Sequence, residues 1–232
     1  EIASGIREFK TKSNADHYIG KGAPILQTED GLHFDVTNSY RAALVEHAER
    51  IVRSHLITLG EGCDTTFFFY LSDFDDYSKR PQTSRVSYGL FYNEDPTGRL
   101  FGPREIAPKP TGMAVAALTR LLEGTPTAGR LDMFGEGVYA YAFRRADEYL
   151  VAAWTTNAAP RRVRFAVGRE TLSQFDLMGN RTRVDPDATG MLEVELSTSP
   201  VYLLGVGADE VKAARKRTLA HTASLVEGKL DP

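Results

Sequence analysis

The sequence is poor in the residues that announce a covalent or metal-held scaffold, with one cysteine, Cys63, and one tryptophan, Trp154, among 232 residues. A single cysteine cannot close an intrachain disulfide, so a disulfide framework is excluded. No His/Cys cluster has metal-ligand spacing, no glycine-rich phosphate loop follows an apolar run, and no Ser-His-Asp order stands out. No cofactor is expected. No apolar run reaches the roughly 18 residues of a membrane span. An excess of one charge is missing too: 28 Lys and Arg face 31 Asp and Glu, a net −3, which points away from nucleic acid as a partner. An opening Met and a signal-peptide pattern are also absent; the chain starts at Glu1.

What is present is ordinary globular material, 42 % apolar and 25 % charged, enough for a substantial core in a chain of this length. Residues Glu1 to about Val36 are polar and show little periodicity, so they read as an irregular lead-in. An amphipathic helix follows over Ser39–Leu59, with Leu44, Ala48, Ile51, Val52, Leu56 and Leu59 at helical spacing. Thr37 or Asn38 is placed to cap it, and Gly60 and Gly62 to end it. The run Thr65–Leu71 is continuous, aromatic and lacks polar alternation, the pattern of a strand buried on both faces under helices. A long polar stretch, Ser72–Pro108, leads to a second helix that starts near Pro110 and stops at Gly124. Loop, helix, strand, long loop, helix is a β/α rhythm.

From about Leu131 the texture changes. Short strand-like runs occupy Val138–Phe143, Tyr149–Thr155, Arg161–Val167, Gln174–Met178, Met191–Leu196 and Val201–Leu204, separated by Gly, Asn, Asp and Pro turns. Val163, Phe165 and Val167 alternate with Arg162, Arg164 and Ala166, and Leu192, Val194 and Leu196 alternate with Glu193 and Glu195. This is the half-buried pattern of an antiparallel sandwich with one wet face. Gly124–Arg130 reads as the linker between two domains, and the residues from Ala208 onward as a helix with a solvated basic face.

Several phrases, in order, carry a family resemblance. The aromatic strand Phe67–Leu71, then Tyr88-Gly89-Leu90, then Pro108-Lys109-Pro110 opening an Ala/Leu helix, resembles the end of a clan A retaining glycoside hydrolase barrel. The stretch 131–206, with Phe175-Asp176-Leu177-Met178-Gly179-Asn180 and Ser199-Pro200-Val201-Tyr202-Leu203, resembles the C-terminal β-domain of family 39 and of some family 5 and 30 members. The fold this implies is α/β plus all-β: the C-terminal part of a TIM (β/α)8 barrel over 1–124, an antiparallel β-sandwich over 131–206, and a C-terminal helix or linker over 208–232.

The resemblance also implies chemistry. Glu1-Ile2-Ala3-Ser4-Gly5 looks like the phrase that opens with the catalytic nucleophile after the seventh barrel strand, so Glu1 is the expected nucleophile and the earlier strands lie upstream. A whole barrel takes about 250 residues, against about 125 before the sandwich here. Retaining hydrolysis needs a second carboxyl group about 5–5.5 Å from the first. The family's acid/base Glu sits on the fourth strand, upstream, so the chain alone is expected to be inactive. Tyr70, at the end of the aromatic run, and Asp73, just beyond it, are expected to shape a sugar subsite at the strand ends, where barrel active sites lie. Asp73, Asp75 and Asp76 lack the Gly turn and distal Glu of a calcium loop. His17 and His33 fall in the loop after the expected nucleophile, where they read as plain surface histidines or as borders of the cleft, whereas His47 and His55 read as structural groups of the first helix. The expected partners are a carbohydrate substrate and the missing N-terminal barrel portion. The alternative is a non-catalytic carbohydrate- or partner-binding sandwich with a vestigial barrel remnant.

Overall fold

The computed structural model describes residues 5–8, 24–37, 39–69, 71–73, 85–86, 88–92, 107–131, 137–168, 171–215 and 218. Glu1, Tyr70, His17, Asp75 and Asp76 lie outside the described residues. The chain divides into two compact units, one of residues 1–59 and 63–120, the other of 60–62 and 121–232.

In the first unit, strand β1 (Leu26–Asp30) leads through β2 (Phe34–Asp35) to helix α1 (Tyr40–Gly60), and α1 to β3 (Thr65–Phe68). β1 and β3 pair in parallel, Leu26 opposite Thr65 and Gln27 opposite Thr66. This is a strand–helix–strand unit, and it corrects the reading of the opening residues as an irregular lead-in. The strand Leu26-Gln27-Thr28-Glu29-Asp30 has one apolar residue in five, so hydrophobic periodicity carries no sign of it. Helix α1 buries Leu44, Ala48, Ile51, Val52 and Leu56, as its spacing predicts. Its cap is Ser39, whose Oγ accepts from Ala42 N at 3.2 Å, rather than Thr37 or Asn38. Its end is a Schellman turn: Gly62 takes a φ of 89° and Cys63 N donates to Thr58 O at 3.1 Å. β4 (Arg85–Val86) pairs with β2, and α2 (Pro110–Leu122) follows.

The aromatic run is shorter and less enclosed than its composition suggests. Phe68 stacks on His55 of α1, so Phe67 projects from the face away from the helix. Phe67 there is 50 % exposed and Leu26 52 %. The described residues contain two parallel strands with one face packed and the other open, not a strand buried on both faces.

The second unit holds a six-stranded antiparallel sheet in the order β10-β9-β12-β7-β6-β5 and a separate antiparallel pair, β11-β8. The strands are β5 (Thr127–Arg130), β6 (Val138–Arg145), β7 (Glu148–Thr155), β8 (Arg161–Ala166), β9 (Leu172–Phe175), β10 (Arg181–Val184), β11 (Met191–Leu196) and β12 (Val201–Val206). Both sheets contribute to one apolar core, through Val151, Ala153 and Leu203 on one side and Val163, Phe165, Leu192 and Val194 on the other. On the outer side of the β8–β11 pair, Arg164 stands opposite Glu193 and Arg162 opposite Glu195, an exposed cross-strand charge ladder that adds register more than stability. Trp154 is buried between Tyr139 and Tyr141, with ring centroids at 5.4 and 5.9 Å. Residues 208–215 are helical, and Val211 and Ala214 join the same core. β5 and β10 are the sheet's two edges, and β5 occupies part of the stretch expected to be a linker. Their sequences, Thr-Ala-Gly-Arg and Arg-Thr-Arg-Val, are short and polar, as edges that avoid stray pairing are.

Candidate functional site at the strand ends

The C-terminal ends of β1 and β3 lie side by side because the two strands are parallel. A register irregularity falls between Gln27 and Asp30, with Asp30 opposite Phe68. The extra residue of such a bulge bends the strand end and re-aims side chains there. Asp30 turns toward α1: its carboxylate accepts from Ser54 Oγ at 3.0 and 2.8 Å, and His55 Nδ1 stands 3.7 Å from its Oδ2. Its carbonyl accepts from Phe69 N at 2.9 Å, which ties the ends of the two strands together. Burial raises the Asp30 pKa against the opposing pull of His55 and Ser54. Burial likewise lowers that of His55 against the pull of Asp30. Asp30 is committed to the helix side, and the neighbouring Glu29, inside the irregularity, is exposed.

Beyond the strand end, Gly31 passes close to the Tyr88 ring and to Phe69. A Cβ there would lie 3.0 Å from Tyr88 Cδ1 and 3.1 Å from Phe69 Cβ. His33 tilts against Tyr88 at 4.5 Å, and Phe69 meets Tyr88 edge to face at 5.7 Å.

A second polar knot holds the loop after β3. Lys109 Nζ lies 2.5 Å from Asp73 Oδ2, and the lysine side chain is 0 % exposed. Asp73 Oδ1 accepts from Gly89 N at 2.9 Å, and Lys109 N donates to Leu90 O at 2.8 Å. The Lys109 ammonium also lies 5.7 Å from the Tyr92 ring centroid. Burial lowers the Lys109 pKa and the Asp73 carboxylate opposes that shift. Tyr40 and Tyr92 are both raised, first by burial and then by neighbouring charge, Asp73 included.

His47 joins three segments in this region. Its Nε2 is 2.8 Å from Leu32 O, an atom that can only accept, so Nε2 carries the proton. Nδ1 is then the acceptor, and Thr111 Oγ1 donates to it at 2.6 Å. Burial pushes this imidazole down to about 4, helped by the nearby Lys109 charge and opposed by the Leu32 carbonyl.

Gly89 is fitted against this knot so closely that a methyl has no place: a Cβ would stand 2.4 Å from Asp73 N and 2.6 Å from Ser72 C, both backbone atoms. Gly89→Ala is expected to break the Gly89–Asp73 bond and destabilise the first unit by about 2 kcal/mol. Amide exchange at residues 88–92 measures it; protection equal to the parent's defeats the expectation.

Of the residues expected to form the site, only Asp73 is described. It lies just past β3, as expected, with both carboxylate oxygens engaged by Lys109 and Gly89. Glu29 and Asp30 are not among the residues the sequence marks, and Lys109 stands out there only within the Pro108-Lys109-Pro110 phrase; nothing local marks Asp73, 36 residues away, as its partner. Glu29 was within reach: a helix in a β/α rhythm must be entered from a strand, and Glu29 is the carboxylate at the end of the strand that enters α1.

No protein-family model matches the chain, and no curated protein matches it. Among solved structures it is similar to a GH30 endoxylanase from Clostridium papyrosolvens C71, at 11 % identity and a TM-score of 0.54, over 86 % of this chain and 44 % of that one. It is similar too to a glycoside hydrolase family 30 subfamily 8 xylanase from Clostridium acetobutylicum, at 16 % identity and a TM-score of 0.50, over 79 % and 43 %. A conserved exported protein from Bacteroides fragilis matches at 8 % identity and a TM-score of 0.57, over 87 % and 43 %. The chain therefore has the mixed α/β fold, with antiparallel sheets, found in glycoside hydrolase structures of this kind. It spans less than half the length of each of these three proteins.

Proposed function

We propose that this chain is part of a retaining glycoside hydrolase that cleaves O-glycosidic bonds in a carbohydrate, and that its nucleophile is Glu29. The observation that carries the reading is the exposed Glu29 at the C-terminal end of β1, the strand that enters α1 and pairs in parallel with the aromatic strand β3. The family resemblance assigns the nucleophile to the strand immediately before that helix. We therefore propose Glu29 for that position, in place of the expected Glu1. Barrel chemistry happens at the C-terminal strand ends, and the likeness to two xylanase folds supports the same class.

In this reading the first unit belongs to the catalytic barrel, and residues 131–206 form an accessory sandwich. Tyr70 and Asp73 shape the sugar subsite, Asp73 by fixing the loop after β3 through Lys109 and Gly89. The open face bearing Leu26 and Phe67, with Leu71 at 70 % exposure just beyond β3, is where the remaining barrel strands pack, as an uncovered apolar face of this kind calls for a partner. Those strands also bring the acid/base carboxyl group. Glu29 attacks the anomeric carbon, the acid/base group protonates the departing oxygen, and water then resolves the glycosyl-enzyme ester with the same group acting as base.

In the enzyme that carries the whole barrel, Glu29→Ala is expected to lower turnover of an aryl glycoside by roughly a thousandfold, about 4 kcal/mol of barrier. Azide is expected to restore turnover in this variant and yield a glycosyl azide of inverted configuration, because the small anion attacks where the carboxylate did. Glu1→Ala is expected to stay within about twofold of the parent, and the 232-residue chain alone to show no turnover. Full activity in the Glu29 variant, or no azide product, defeats the assignment.

A further inference from the structure

The grip on Asp30 is more polar than a strand–helix contact requires. Asp30 and His55 are 8 % and 4 % exposed, at a position where two apolar side chains would pack without the cost of burying ionisable groups. The contacts all run one way, from α1 and β3 onto the end of β1. Ser54 Oγ bonds both Asp30 carboxylate oxygens at 3.0 and 2.8 Å, and Phe69 N bonds the Asp30 carbonyl at 2.9 Å. Behind them Thr66 Oγ1 reaches toward Gln27 Oε1 at 3.5 Å, so His55 Nδ1 is the donor across its 2.9 Å contact with the same Thr66 oxygen. His55 Nε2 is buried without a hydrogen-bond partner among the described residues, a further unfavourable element that packing alone does not require. Gln27 and Asp30 are the two ends of the register irregularity, and Thr28 and Glu29, both exposed, lie inside it, Glu29 being its one carboxylate. Both ends of the bulge are thus held by polar groups on the helix side.

We infer that Asp30, gripped by Ser54 and backed by His55 and Thr66, is the positioning residue for Glu29: it locks the bulge that aims the exposed Glu29 carboxylate. Asp30 touches no substrate in this account and acts only through its neighbour. The inference rests on Glu29 as nucleophile for its meaning in catalysis, but its geometry is tested without catalysis.

The test is the side-chain rotamer of Glu29 in the isolated chain, read from three-bond N–Cγ and C′–Cγ couplings. In the parent chain these are expected at the values of a single staggered rotamer. Asp30→Ala is expected to collapse them toward the average over the staggered wells, and Ser54→Ala to move them the same way by less. Asp30→Asn keeps an acceptor for Ser54 and is expected to restore the single-rotamer values, while the couplings of Leu26 stay unchanged in every variant. A purely structural Asp30 changes stability but leaves the Glu29 couplings alone. If Asp30→Ala does not fold, Ser54→Ala and Asp30→Asn carry the comparison. Averaged couplings in the parent, or a single unchanged rotamer across the variants that fold, overturns the inference. Failure here leaves azide rescue to decide the nucleophile, and failure of azide rescue leaves the rotamer result standing.

Discussion

Asp73→Ala is expected to destabilise the first unit by about 3–5 kcal/mol, the usual cost of removing one member of a buried ion pair. The loss comes from the partner left behind. Lys109 is wholly enclosed, and once the carboxylate is gone its ammonium has lost the partner it holds at 2.5 Å. Gly89 N loses its acceptor in the same step. Lys109→Ala is expected to cost a similar amount, through an unpaired carboxylate and the volume of a missing side chain. Replacing both, with Asp73→Asn and Lys109→Met, is expected to cost much less than the two single losses together, because no uncompensated charge remains. Trp154 lies in the second unit, so its fluorescence follows the wrong part of the chain. Denaturant-dependent amide exchange in α1 and α2 reads the right one. A single variant within about 1 kcal/mol of the parent removes the ion pair from the account of this loop.

The second large effect is a pH dependence set by His47. Its imidazole is held at about 4 against an ordinary 6.5, so the folded chain binds a proton there less readily than the unfolded chain. The neutral ring's full contribution is present above about pH 6.5 and is lost as pH falls through the interval down to about 4. Across that interval the loss is about 3 kcal/mol. The physical origin is visible in the contacts. A proton on Nδ1 removes the acceptor that Thr111 Oγ1 uses and places a second buried cation near Lys109. His47→Gln is expected to be less stable than the parent at pH 7.5 and to show a flatter fall between pH 6.5 and 4.5. Because Asp30 and His55 titrate in the same unit, the difference between parent and variant curves is the quantity to compare. Parallel curves defeat the expectation.

Legibility in the sequence tracked the range of the interaction. Helix α1 could be read because Leu44, Ala48, Ile51, Val52 and Leu56 repeat at the period of the helix itself, and β8 and β11 because one wet face forces alternation. Trp154 was read as core and is core. The edge strands β5 and β10 escaped because an edge is kept short and polar for reasons that oppose the hydrophobic signal. β1 escaped because its residues serve the strand ends: Gln27 and Asp30 face polar partners on the helix side, and Glu29 is exposed.

The sequence by itself determined which segments fold as helices and as the alternating strands, since burial of one face is written into local periodicity. It determined as well the order of phrases that resembles a glycoside hydrolase barrel end. Only the tertiary structure shows β1 as a strand paired in parallel with β3, the observation on which the proposal of Glu29 rests. Tertiary closure alone also joins Asp73 to Lys109 and His47 to Thr111, residues 36 and 64 positions apart. Such contacts have no period: a charge or hydroxyl carries no local mark of the distant group that will satisfy it, and partners are chosen only when the chain closes.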